Sequence, residues 1–98
     1  MFLVLLKFSD NKAQAAKHMA GHNAWIQRGF DEGIFALVGS LKPAGGGAVV
    51  ARGITRDALE ERIQEDPFVA ERVVSAEVIE IAPSRTDERL AFLASGAS

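Results

Sequence analysis

The chain has 98 residues, a formal net charge of −2, two histidines and no cysteine or tyrosine. That length suits one two-layer core, and the lack of cysteine excludes disulfides, cysteine zinc sites and thiol catalysis. Charges of both signs are interspersed, so no basic stripe invites nucleic acid, and no apolar run reaches the ~18–20 residues of a membrane span.

Met1-Phe2-Leu3-Val4-Leu5-Leu6 has no basic residues before it and is interrupted by Lys7. It reads as the start of a buried strand over 2–8 rather than a signal peptide. Together with the missing cysteines this fits a cytoplasmic setting. Phe2, Val4, Leu6 and Phe8 point one way and Leu3 and Leu5 the other, so the strand is apolar on both faces. Ser9 or Asp10 is a candidate N-cap for a helix from about Asn11 to Phe30 or Asp31. Ala15, Met19, His22, Ile26 and Phe30 recur at helical spacing and predict its buried stripe. Gly33 supplies the stop.

A second strand is expected over 34–41, also apolar on both faces through Ile34, Phe35, Leu37 and Val38. Lys42-Pro43-Ala44-Gly45-Gly46-Gly47 forms a loop, and 48–52 a third strand antiparallel to the second. Thr55 caps a helix over about 56–65, with Leu59 and Ile63 inward and Pro67 ending it. A fourth strand follows over 72–81, then a C-terminal helix from Thr86 to Leu93 and a frayed Ser95-Gly96-Ala97-Ser98. Residues 1–98 read as one domain, with 84–98 a C-terminal helix and tail.

The order β-α-β-β-α-β is the ferredoxin-like α+β plan, with helices on one face of an antiparallel sheet. The strands nevertheless carry apolar residues on both faces. Pairing of two protomers sheet to sheet would cover the second face, giving a homodimeric α+β barrel.

His22 is the residue to examine first for chemistry. An imidazole has an ordinary pKa near ~6.5 and can take and give a proton near neutrality; the bland alternative is a core histidine with a satisfied ring. Asp66 could orient that imidazole or serve as a turn residue before Pro67, and the two roles can coexist. Trp25 could offer a flat wall to a ligand or pack in the core. Ser40 could donate a hydrogen bond to a ligand or sit in a turn. Arg52 could meet an anionic substrate or be solvated. His18 lies four residues before His22, a metal-compatible spacing, but only Asp31 and Asp66 offer further ligands and no H-E-x-x-H pattern is present, so no metal or other cofactor is expected. Gly45-Gly46-Gly47 lacks the Lys-Ser/Thr ending of a phosphate loop.

His22-Asn23-Ala24-Trp25-Ile26, Gly33-Ile34-Phe35-Ala36-Leu37-Val38-Gly39-Ser40, Gly46-Gly47-Ala48, Glu65-Asp66-Pro67-Phe68 and Val78-Ile79-Glu80-Ile81 occur in that order. On these segments the chain resembles the YCII-related (YciI-like) family over about residues 1–83. The resemblance implies a dimeric α+β barrel with a His–Asp active site, His22 and Asp66 here, in a family whose relatives include lyase-type enzymes acting on chlorinated aromatic rings. Two functions follow. One is a cofactor-independent enzyme, lyase- or isomerase-like, moving a proton on a small organic molecule. The other is a dimeric ligand-binding or structural module without turnover, favoured by the lack of an evident nucleophile or oxyanion motif.

Overall fold

The computed structural model describes residues 1–94, so the expected fraying of Ser95 to Ser98 lies outside the described residues. Four strands, β1 (Phe2–Phe8), β2 (Phe35–Ser40), β3 (Gly47–Ala51) and β4 (Val74–Glu80), form one sheet in the order β2-β3-β1-β4. Every neighbouring pair is antiparallel. Three α-helices accompany them: α1 (Ala15–Asp31), α2 (Arg56–Gln64) and a single turn, α3 (Pro67–Ala70). This is the α+β plan expected from the sequence.

The register fixes which side chains share a face. Val4 lies opposite Val49 on one side and Val78 on the other, while Leu3 lies opposite Val50 and Ile79. The Val4 face is the packed one: Phe2, Val4, Leu6, Val49 and Ala51 are buried with Trp25, Leu59 and Ile63 from the helices. The Leu3 face is left open. Leu3, Leu5 and Val50 are half-buried there, and Leu37 and Ile79 are exposed. In β2 the register shifts between Phe35 and Leu37, so Ala36 is the extra residue of a bulge. The bulge lets Phe35 turn inward while Leu37 faces out.

Helix α1 differs from the sequence expectation at both its start and its inner face. Neither Ser9 nor Asp10 caps it. A 3-10 turn at Lys12–Gln14 precedes it, and neither Asn11 nor Gln14 makes a side-chain capping bond. The fully buried positions are Trp25 and Gly29, whereas Met19 and Phe30 of the predicted stripe are exposed. Gly29 is buried because the Phe35 ring occupies the space a Cβ would fill. Phe35 in turn meets Trp25 edge-on at 5.0 Å. Gly33 ends the helix as expected, with φ at +73° and its N–H bonded to the Phe30 carbonyl.

Helix α2 starts as predicted: the Thr55 side chain accepts the Ala58 N–H at 3.2 Å. Pro67 does more than stop it. Asp66 is the N-cap of the new turn α3, with Pro67 at its first position, where a missing N–H costs nothing. The expected C-terminal α-helix is a 3-10 stretch, Glu88–Leu93, capped by Asp87. Among the described residues no helix is long and apolar enough to cross a membrane.

Candidate active site

Helix α1 and the turn α3 meet at His22. The Nδ1 atom of His22 stands 2.9 Å from Oδ1 of Asp66, across 44 residues of sequence. The Asp66 side chain is fully buried and that of His22 is 13% exposed. Oδ1 also accepts the Phe68 N–H at 3.0 Å, while Oδ2 is buried with no hydrogen-bond partner among the described residues. An ionised carboxylate only accepts. The Nδ1 of His22 is therefore the donor, and Nε2 is the nitrogen left for a ligand. A buried carboxylate is tolerable only when hydrogen-bonded or paired, and Asp66 is hydrogen-bonded by both His22 and the Phe68 N–H. The Phe68 ring lies flat on the imidazole, with centroids 4.0 Å apart and planes 4° from parallel.

His22 opens onto a cavity of about 320 Å³, lined by apolar Leu6, Phe8, Met19, Ile26, Val38 and Phe68, with Asn23 and Ser40 as further polar groups. Its rear wall is the β2–β3 hairpin at Gly39, Gly46 and Gly47. Glycine at 46 lets the hairpin approach the backbone of β1 closely. Gly46 has φ at +89°, and a Cβ on it would overlap the Leu6 carbonyl oxygen. The volume is at the lower end for small-molecule sites and suits a single ring. A larger but more open groove of about 450 Å³ runs between α2 and β4, walled by Asp57, Glu60 and Glu61. It contains neither histidine, and the less open cavity at His22 is the better candidate on chemical grounds.

The structure brings His22, Asp66 and Ser40 to one place; Trp25 stacks beside the imidazole, centroids 6.2 Å apart and planes 21° from parallel, without lining the cavity, and Arg52 lies elsewhere. Trp25 is 1% exposed, and its indole N–H donates to the Arg62 carbonyl at 2.8 Å. It is a core residue tying α1 to α2. Arg52 follows the end of β3 opposite Gly47, where it reaches the Gly33 carbonyl at 3.4 Å and lies 6.0 Å from the Phe92 ring centroid. It is remote from the cavity because β3 runs its full length between them. His18 is half-buried and does not line the cavity. Among the described residues no three of His, Cys, Asp and Glu are grouped as a metal ion would need.

Sequence reasoning missed Asn23 and the ring of Phe68. Met19, His22, Asn23 and Ile26 fall at i, i+3, i+4 and i+7, a single helix face. That signal was present, but it marked the cavity wall rather than the packed stripe.

A family model for the YCII-related domain matches residues 1–83. The chain belongs to the YCII-related family. Among solved structures, this YCII-related chain is similar to 5-chloro-2-hydroxyhydroquinone dehydrochlorinase from Burkholderia phenoliruptrix, in complex with 2,5-dihydroxybenzoquinone. The TM-score is 0.66 at 13% identity, over 83% of this chain and 93% of that one. At such identity the likeness is one of fold. A search of curated proteins finds no match.

Proposed function

We propose that the chain is a small enzyme that moves a proton on a ring-sized organic molecule, in the manner of a lyase or isomerase. The observation that carries this reading is the His22–Asp66 pair, with Nδ1 committed to the carboxylate and Nε2 left for a ligand beside a half-open, mostly apolar cavity. In the proposed step Nε2 takes a proton from the ligand as general base. The imidazolium so formed is balanced by the Asp66 carboxylate and lies against the Phe68 face, an arrangement that favours positive charge. The proton is then returned to another atom of the ligand, or the electron pair it leaves expels a leaving group such as chloride. Ser40 is proposed to orient the ligand from the opposite wall. No metal or cofactor takes part in this scheme.

The dehydrochlorinase with the same fold supports a lyase-type reaction, and its bound quinone is of a size the cavity can take. The test uses that chemistry directly. Chloride release from 5-chloro-2-hydroxyhydroquinone and binding of 2,5-dihydroxybenzoquinone are measured for the wild type and His22→Gln. Turnover lost in the variant with binding retained supports the enzyme. Binding without chloride release in the wild type favours the alternative, a non-catalytic ligand-binding module.

The functional unit is proposed to be a cytoplasmic homodimer with residues 1–98 as one domain. Support for the dimer comes from the open sheet face, where Leu3, Leu5, Leu37, Val50 and Ile79 have no covering layer among the described residues.

A further inference from the structure

We propose that Phe68 is a positioning residue for His22, holding the plane of the imidazole while Asp66 holds one of its atoms. The inference rests on the reading of His22 as the proton-transfer group. A single hydrogen bond from Nδ1 to Oδ1 fixes a point. The ring can still swing about that point and carry Nε2 away from the cavity. The Phe68 ring restricts this freedom, because it lies flat against one face of the imidazole, with centroids 4.0 Å apart and planes 4° from parallel. Any rotation out of plane must first push the phenyl aside.

The phenyl is itself fixed by the turn it belongs to. Phe68 is 6% exposed. Its N–H is bonded to the same Oδ1 that accepts from His22. The preceding Pro67 sits tightly against α1, since a Cβ on Gly21 would stand 2.9 Å from Pro67 Cγ. The three consecutive residues Asp66, Pro67 and Phe68 thus act on two adjacent residues of α1: Asp66 on the His22 Nδ1 atom, Pro67 on the backbone at Gly21 and Phe68 on the His22 ring plane. A four-residue helix is too short to be stable alone. Its contacts with α1 give it the rigidity the site requires.

Stacked aromatic pairs contribute about 0.5–1.5 kcal/mol. Losing the stack therefore raises the population of swung-out imidazole about 2- to 10-fold, at about 1.4 kcal/mol per tenfold. Solvent exchange of the His22 Nδ1–H proceeds through that swung-out form and reads it directly by proton–nitrogen NMR, with the His18 signal removed by His18→Gln. The comparison uses Phe68→Leu, which keeps apolar bulk without a ring, and Phe68→Tyr, which keeps the ring. Ile63→Val serves as a packing control at another buried position, 2% exposed. The expected result is exchange about 2- to 10-fold faster in Phe68→Leu than in Ile63→Val, with Phe68→Tyr within about twofold of wild type. Equal acceleration in Phe68→Leu and Ile63→Val overturns the proposal, as does a Phe68→Tyr variant as fast as Phe68→Leu. If Phe68→Leu does not fold, Phe68→Met makes the same comparison. The measurement needs no substrate. A chain that turns nothing over but shows the Phe68 effect refutes the enzymatic reading and leaves the positioning role standing.

Discussion

Replacing Asp66 separates its two duties. In Asp66→Ala the Phe68 N–H loses its acceptor inside the protein, since Oδ1 holds it at 3.0 Å in a fully buried position. An orphaned buried donor costs about 1–3 kcal/mol. The bond from His22 at 2.9 Å is lost as well, and a bond to a charged acceptor contributes about 1.5–3 kcal/mol. Part of this is offset, because removing a buried carboxylate also removes its desolvation cost. A net loss of about 2–4 kcal/mol results. For a domain near this size each kcal/mol moves Tm by about 4–8 °C, so melting should fall by roughly 10–30 °C. Asp66→Asn behaves differently. Its amide oxygen can stay at the Oδ1 position and keep both bonds, and its NH₂ takes the place of Oδ2, which has no partner to lose. Thermal melting by circular dichroism should place Asp66→Asn between wild type and Asp66→Ala. An Asp66→Ala melting point within about 3 °C of wild type, less than about 1 kcal/mol, would refute the reasoning that this carboxylate holds α3 to α1.

Three further outcomes are expected. Gly46→Ala combines an unfavourable positive φ with an overlap on the Leu6 carbonyl, so it should lose at least the ~1–3 kcal/mol of backbone strain, read by urea denaturation; no change would mean the hairpin wall is not tight. Leu3→Glu puts charge on the open sheet face and should shift sedimentation of a dimer to monomer, whereas a wild type already monomeric at micromolar concentration removes the dimer. The pKa of Asp87 is lowered, first by the Arg89 side chain and then by the Arg89 N–H. Its cap is therefore complete above the ordinary Asp range and is lost as pH falls through a value below it, so the Arg89 amide resonance should titrate at lower pH than an unpaired Asp would give.

Much of the fold was legible because the relevant signals are local. Apolar residues at every position from Phe2 to Leu6 announce a strand covered on one face and seeking cover on the other. Thr55 before a helical pattern announces a cap, and it forms. The inner face of α1 was not legible. Periodicity finds an apolar stripe but does not say whether a packed sheet or a cavity lies beneath it. Met19 and Ile26 border the cavity, while Trp25 and Gly29 make the packed contact. The His22–Asp66 pairing joins positions 44 residues apart, so no local pattern encodes it; the family resemblance supplied it. Trp25 was placed at the site because it lies three residues from His22. Its ring does stack beside the imidazole at 6.2 Å, but the N–H bond to the Arg62 carbonyl holds it in the core, behind His22 and not in the cavity wall.

The central claim is that His22 moves a proton on a bound ring, and hydrogen–deuterium exchange tests it without knowledge of the full reaction. With 2,5-dihydroxybenzoquinone in D₂O as the probe, proton NMR follows exchange of its ring C–H positions in buffer, with wild type and with His22→Gln. General acid–base groups contribute about 10²–10⁴-fold. The account predicts exchange accelerated by the wild type and reduced by about that factor in His22→Gln. Exchange equally fast in the variant, or no faster with saturating wild type than in buffer, would contradict it.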